Sequence, residues 1–197
     1  MATKEDILEQ IVEEYLIHEG YFVQHNIKFL PSPNHPDYVK REDSNHSDID
    51  VLGFHPKKTG PDKIMAVSCK SWQGGFKPDT WINNIRENKK ISGRPAWKAF
   101  RELTSPKWSQ GFCDAIEEAT GEKSFTYVLA VSRCKGDKTI WEQEPSFQEA
   151  LNGNSIQVLS FSEMVEKIDD GLGTTLASTE VGRLLQMFKA AKMNIGT

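Results

Sequence analysis

The 197-residue sequence has few cysteines, no long apolar run and no excess of positive charge. Its three cysteines, Cys69, Cys113 and Cys134, form no Cys-x-x-Cys spacing, which argues against a disulfide framework and a structural zinc site. No apolar segment approaches the roughly 20 residues that cross a bilayer. The amino-terminal residues MATKED lack the apolar core of a signal peptide. We therefore expect a cytoplasmic protein that does not enter a membrane.

The charge balance excludes a protein whose whole surface attracts nucleic acid. The formal net charge is −4, so any contact with nucleic acid must use a local basic patch. The sequence also has no glycine-rich phosphate loop of the Gly-x-Gly-x-x-Gly or Gly-Lys-Ser/Thr type, and no serine nucleophile elbow. These absences argue against nucleotide-loop enzymes and serine hydrolases.

Hydrophobic patterning predicts an α/β fold, in which helices flank one mixed central sheet. Loop signals at Pro31–Pro36 begin a long connection that runs to about Asn45. No internal repeat or domain boundary is visible. The predicted strands are residues 21–29, 48–54, 63–71, 125–132 and 155–159, and the predicted helices are residues 4–19, most of 79–118, 161–168 and 175–193.

Two acids and a lysine lie on neighbouring predicted strands. Asp48 and Asp50 alternate with apolar residues, so they share one face of their strand, and Ser68 and Lys70 share one face of the next strand. If the two strands pair, a carboxylate and an ammonium group meet at one end of the sheet. That combination is typical of magnesium-dependent hydrolysis of phosphodiesters, because Mg²⁺ takes carboxylate ligands and a cation stabilises the phosphate charge. Ser68 stands where a second carboxylate would be expected.

Four features follow one another along the chain: a helix that carries glutamate, the pair Gly20-Tyr21, a strand that carries Asp50 and a strand that ends at Lys70. Together they resemble the PD-(D/E)XK nuclease superfamily. That superfamily includes Holliday-junction resolvases and many restriction endonucleases, and the resemblance covers roughly residues 5–72. It implies a restriction endonuclease-like fold, here residues 1–197 as a single domain with a C-terminal helical extension. It also implies a metal-dependent endonuclease acting on DNA, in defence, repair or recombination.

The resemblance implies a role for each matching residue. Asp50 corresponds to the aspartate that binds Mg²⁺ or Mn²⁺, and Lys70 corresponds to the catalytic lysine. Glu9 corresponds to the helix glutamate that assists metal binding in the resolvase-like branch. Gln73 is a polar residue soon after the lysine, where it could orient a water or a phosphate. Ser68 departs from the pattern, since the superfamily has Glu or Asp at that position.

Ser68 leaves several interpretations open. Glu9 or Asp48 could complete the metal site and preserve cleavage. Alternatively, catalysis has been lost, and the protein is a nucleic-acid-binding or complex-forming subunit of nuclease fold. From the residues alone, Asp50 and Lys70 could also form an ordinary ion pair in an interaction protein that binds no nucleic acid. His46 precedes Asp48 and Asp50 at period two, so a His-Asp-Asp set for a transition metal is a further alternative.

A basic, aromatic stretch follows the acid–lysine pattern. Residues 86–107 contain seven Lys or Arg and only two Glu, and tryptophans and phenylalanine lie among and beside these charges. Such a segment suits phosphate tracking and base stacking, although an ordinary amphipathic helix would have the same composition. The candidate DNA-binding residues are Lys89, Lys90, Arg94, Lys98 and Arg101. The last predicted helix could pack a homodimer partner through Leu184, Leu185 and Phe188, although core packing is the default expectation.

Overall fold

The computed structural model describes residues 6–191 of the chain. A five-stranded mixed sheet has helices on both faces, which confirms the predicted α/β class. None of the described helices is both long and apolar enough to span a membrane. In chain order the elements are α1 (Ile7–His18), β1 (Phe22–Phe29), α2 (Lys40–Asp43), β2 (Ser47–Phe54), β3 (Ile64–Lys70), α3 (Pro78–Arg86), β4 (Lys90–Ile91), β5 (Arg94–Pro95), α4 (Arg101–Thr104), α5 (Pro106–Thr120), β6 (Thr126–Val131), α6 (Thr139–Glu142), α7 (Pro145–Ala150), β7 (Ser155–Ser160), α8 (Phe161–Gly171) and α9 (Glu180–Ala190).

The sheet combines an antiparallel and a parallel half. Its strand order is β1-β2-β3-β6-β7, where β1, β2 and β3 pair antiparallel and β3, β6 and β7 pair parallel. The two parallel connections pass through helices, as crossovers between parallel strands require. The carboxyl ends of β3, β6 and β7 therefore lie at one edge of the sheet, where ligands bind in many α/β proteins.

Two hydrophobic layers enclose the sheet. Every residue of β6 is buried, and side chains alternate between the layers: Tyr127 and Leu129 face one, and Val128 and Ala130 face the other. The layer around Val128 contains α1, α8 and α9, and the layer around Tyr127 contains α3 to α7. Gly111 lets α5 approach the end of β1, since an added Cβ would lie 2.2 Å from the carbonyl oxygen of Leu30.

Most predicted strands and helices are present, and four regions differ from the prediction: the long loop, residues 79–118, the chain between β6 and β7, and the carboxyl-terminal helix. Helix α1 begins after Asp6, whose side chain accepts a hydrogen bond from the Leu8 N–H, while residues 4 and 5 lie outside the described residues. The predicted long loop contains the short helix α2. The predicted helical region 79–118 is interrupted by a β-hairpin of β4 and β5, and the chain between β6 and β7 forms α6 and α7, which the pattern did not predict.

The carboxyl-terminal helix is shorter than predicted. Helix α9 begins after Thr179, whose hydroxyl caps it by accepting the Gly182 N–H, and residues 192 and 193 lie outside the described residues. Leu185 is buried, and Phe188 packs against the layer that contains α1 and α8, whereas Leu184 is exposed. Part of the apolar face of α9 thus packs within the chain, and Leu184 and Met187 are exposed. The homodimer prediction stays a prediction.

Candidate active site

The strands β2 and β3 separate at Asp50. Their ladder pairs Phe54 with Ile64 and continues to Val51 opposite Val67, where it stops. Beyond that pair, the backbone N–H of Cys69 donates a 2.6 Å hydrogen bond to Oδ2 of Asp50. Strand β3 meanwhile stays paired with β6 as far as Lys70. The Asp50 carboxylate therefore occupies the opening between two diverging strands.

Strands β1 and β2 are both irregular where they lie side by side at Asp50. The ladder runs from His25 opposite Val51 to Ile27 opposite Ile49 and omits the position between them. Asn26 at that position has a φ of 55°, in the left-handed region. Ile49 packs in one hydrophobic layer and Val51 in the other, although a regular strand would direct both to one face. The twist at Asp50 turns its carboxylate towards the strand opening.

A cavity of about 280 Å³ lies at this opening, which we call the acid–lysine cavity. The structure brings Asp48, Asp50, Ser68 and Lys70 together on its wall, as the strand pattern predicted. Among the described ion pairs, none joins Asp50 directly to Lys70. The complete lining is Ser47, Asp48, Asp50, Ser68, Lys70, Trp72, Lys98, Ala99, Arg101, Glu102 and Phe112.

Glu102 is a buried carboxylate of this cavity that the sequence pattern did not identify. It lies on α4 with 6% of its surface exposed, and it accepts a 2.8 Å hydrogen bond from the Tyr127 hydroxyl. Its negative charge acts on Asp50, and Ser68 lies on the same cavity wall. A second carboxylate thus reaches the cavity from a helix. It lies on the same cavity wall as Ser68, which occupies the position on β3 where a carboxylate was expected. The sequence contains no signal for this role, because Glu102 lies in the basic, aromatic stretch directly after Arg101.

Burial governs the protonation of Asp50. Removal from water raises the pKa of Asp50 from 3.8 to about 6, and the nearby negative charges of Asp48 and Glu102 act in the same direction. The charge of Lys70 and the hydrogen bond from Cys69 oppose this shift. The carboxylate therefore gains a proton at a higher pH than an exposed aspartate does, and a bound cation would favour its charged form.

The raised pKa of Asp50 predicts an unusual pH dependence of stability for the metal-free protein. The folded state holds the Asp50 proton more tightly than the unfolded state, so raising the pH from about 4 to about 6 favours unfolding. Each pH unit in this window costs at most about 1.4 kcal/mol from this group. Urea unfolding in chelator should show wild type losing stability relative to Asp50→Asn across this window, and not above it. A difference between the two proteins that is independent of pH would contradict the raised pKa.

The carboxylates of the cavity fit a magnesium-type ion better than a transition-metal cluster. Within residues 6–191, no group of three His, Cys, Asp or Glu side chains lies close enough together to hold a metal ion. Mg²⁺ usually takes one or two protein carboxylates and completes its shell with water and phosphate oxygens. Asp50 and Glu102 are two carboxylates on the wall of this cavity. His46 is exposed and lines a different cavity, so the structure does not support the His-Asp-Asp alternative.

Two predicted residues lie away from the acid–lysine cavity. Glu9 lies on α1, near Cys69, and its charge contributes to raising the pKa of that thiol. Cys69 packs against the layer that contains α1, whereas Ser68 before it faces the cavity. Gln73 is exposed in the turn after β3 and does not contribute to the cavity lining. The roles of Glu9 and Gln73 stay predictions.

A larger cavity of about 790 Å³, which we call the tryptophan groove, adjoins the acid–lysine cavity. Of the five predicted DNA-binding residues, Arg94, Lys98 and Arg101 line it. Lys90 is exposed on β4 outside the groove, and Lys89 forms a 2.7 Å ion pair with Glu87. The groove lining is Glu42, Asp43, Asn45, His46, Trp72, Trp81, Ile91, Ser92, Gly93, Arg94, Pro95, Ala96, Trp97, Lys98, Ala99, Arg101, Lys107 and Trp108.

Comparison of the chain with family models, with curated proteins and with solved structures finds no match.

Proposed function

We propose that the protein is a metal-dependent endonuclease of restriction endonuclease-like fold that hydrolyses phosphodiester bonds of DNA. The observation that carries the proposal is the convergence of Asp50, Glu102 and Lys70 on one cavity where β2 and β3 separate. The sheet supports it, because the strand carrying Asp50 pairs with the strand carrying Lys70, as the resemblance to the PD-(D/E)XK superfamily implies.

Each residue has a task that follows from its chemistry. Asp50 and Glu102 hold a Mg²⁺ or Mn²⁺ ion, which when bound neutralises the phosphodiester and makes a water more acidic. Lys70 lines the same cavity, and its task is to orient the attacking water or to bind the charge that develops on the phosphate. Arg101 and Lys98 on the cavity wall attract the anionic backbone of the substrate.

Glu102 supplies the second carboxylate that is missing at Ser68. A serine hydroxyl is a neutral and weak ligand, so Asp50 alone would hold a divalent ion poorly. Glu102 lies at the same cavity and keeps its carboxylate oriented through the Tyr127 hydroxyl. Its burial beside Asp50 leaves two negative charges close together, an arrangement that favours cation binding. In this proposal the second carboxylate comes from α4 rather than from β3.

Cleavage of a supercoiled plasmid tests the proposal directly. The purified protein should produce nicked and linear forms in Mg²⁺ or Mn²⁺, and chelation of the ion should stop the reaction. If duplex, junction and single-stranded DNA all stay intact in both metals, the endonuclease proposal fails.

A second candidate function is a catalytically degenerate protein of the same fold that binds nucleic acid as a subunit of a complex. Ser68 is the observation that favours it. In that case the wild type binds DNA without cutting it. Binding would still use the basic residues of the groove, so binding alone does not separate the two candidates.

Ser68→Glu separates the two functions. In the active-enzyme proposal this change should give no gain, and cleavage should fall up to about tenfold, because a further carboxylate beside Asp48, Asp50 and Glu102 adds repulsion. Ser68→Gln has a similar volume without the charge and serves as the control. A gain of magnesium-dependent nicking in Ser68→Glu, absent in Ser68→Gln, would identify a degenerate site and refute the active-enzyme proposal.

A further inference from the structure

The tryptophan groove has an aromatic lining that duplex DNA cannot use. Trp72 and Trp81 are half-buried and stack with ring centroids 4.5 Å apart and planes 16° apart, Trp97 is also half-buried at the groove, and Trp108 forms its buried floor. The bases of a duplex are covered on both faces by their neighbours, so aromatic side chains reach only bases that have left the stack. Trp72, Trp81 and Trp108 also pack in or against the hydrophobic core, whereas Trp97 does not, so Trp97 is the ring best placed to receive a base in this cavity of about 790 Å³.

The charges of the groove complement a nucleotide. Asp43 is neutralised by a buried 2.7 Å ion pair with Lys107, which leaves Arg94, Lys98 and Arg101 against Glu42. These cations lie beside the aromatic rings. The Arg101 guanidinium carbon is 4.6 Å from the ring centroid of Trp108, and the Lys98 ammonium is 5.6 Å from that of Trp97. Aromatic faces combined with neighbouring cations are the features by which proteins bind single-stranded nucleic acid.

The groove and the acid–lysine cavity share a wall. Trp72, Lys98, Ala99 and Arg101 line both of them. A base held in the groove would therefore have its phosphate near Arg101 and Lys98, next to Asp50 and Lys70. The hairpin of β4 and β5 forms another wall, and its tip residues Ser92 and Gly93 have φ angles of 49° and 80°.

We propose that the tryptophan groove binds an unpaired DNA base, so that the substrate is DNA with a single-stranded segment beside the scissile phosphate. Frayed ends, flaps and loops belong to this class, because each provides a base that has already left the stack. This inference rests on the proposed endonuclease function for the identity of the reaction. The binding preference itself follows from the groove and does not need cleavage.

Binding in chelator, followed by fluorescence anisotropy, tests the inference without catalysis. The probes are a labelled blunt duplex and the same duplex with a short single-stranded DNA tail. The wild type should bind the tailed duplex about 10-fold more tightly, because stacking of one base on an aromatic ring is worth that much or more. Trp97→Ala should lose about 10-fold in affinity for the tailed duplex and little for the blunt one. Trp97→Tyr should recover most of the loss.

Lys90→Ala is the matched control, since Lys90 is an exposed cation of the same hairpin that lies outside the groove. It should weaken binding of both probes by the same small factor. Thermal melting of each variant shows whether it is folded. Equal affinity of the wild type for the two probes would overturn the inference. Equal loss on both probes in Trp97→Ala would overturn it as well.

Binding and cleavage measurements together show which of the two proposals fails. A preference for the tailed duplex without cleavage of any DNA would remove the endonuclease function and retain the groove as a binding site for an unpaired base. Metal-dependent cleavage with equal binding of blunt and tailed duplexes would retain the endonuclease and remove the groove proposal.

Discussion

Asp50→Asn and Lys70→Ala should each lower metal-dependent DNA cleavage by about 1,000-fold, since each removes a charge aimed at the reacting phosphate. Asp50→Asn keeps an oxygen that can accept the Cys69 N–H, so the local backbone should persist. It loses the negative charge that holds the divalent ion. Lys70→Ala removes the ammonium group from the cavity and leaves the carboxylates in place. The measurement is the initial rate of plasmid nicking at saturating Mg²⁺.

Matched controls separate chemistry from folding. Asp79→Asn and Lys77→Ala make the same chemical changes at exposed positions that line neither cavity. Both controls should cleave at the wild-type rate. Thermal melts of Asp50→Asn and Lys70→Ala should show folded proteins. If both site variants cleave DNA at the wild-type rate, the assignment of Asp50 and Lys70 as catalytic residues is wrong. If the variants do not fold, the two residues have a structural role instead.

Local sequence patterns were sufficient to predict part of the site. Asp50 lies on a strand whose alternation is visible in the sequence, Lys70 ends a nearly continuous apolar run, and strands that follow one another in the chain usually pair. The fully apolar run of β6 predicted a central strand for the same reason, since both of its faces are covered. These predictions depend only on residues close together in the chain.

The rest of the site depends on contacts between distant parts of the chain. Glu102 reaches the cavity because α4 packs under β6, where Tyr127 donates to its carboxylate. Nothing in the spacing of Glu102 relative to Asp50 or Ser68 could predict that contact. The hairpin of β4 and β5 has only two residues in each strand, too few for alternation to be detected. Its position as a wall of the tryptophan groove is likewise a result of packing.

Because the packing of α4 brings the Glu102 carboxylate to the cavity, Glu102→Gln is the most informative single change. We expect cleavage to fall by about 100-fold and the Mg²⁺ concentration for half-maximal rate to rise, because a neutral amide replaces one of two carboxylate ligands. The amide oxygen can still accept the Tyr127 hydroxyl, so the packing of α4 should be preserved. The pKa of Asp50 should also fall, because the charge of Glu102 contributes to raising it. The pH profile of the residual activity should then extend to lower pH.

Two further variants establish whether the Glu102 charge itself matters. Tyr127→Phe removes the hydrogen bond and leaves the carboxylate, so its effect on the rate should stay below about tenfold. The double variant Ser68→Glu/Glu102→Gln returns a carboxylate to β3 and should recover at least about tenfold over Glu102→Gln alone, as expected for coupled neighbours. An unchanged rate and magnesium dependence in Glu102→Gln would mean that Glu102 only supports the packing of α4. Asp50 would then lack a partner carboxylate on α4, and the degenerate-site function would become the better account of Ser68.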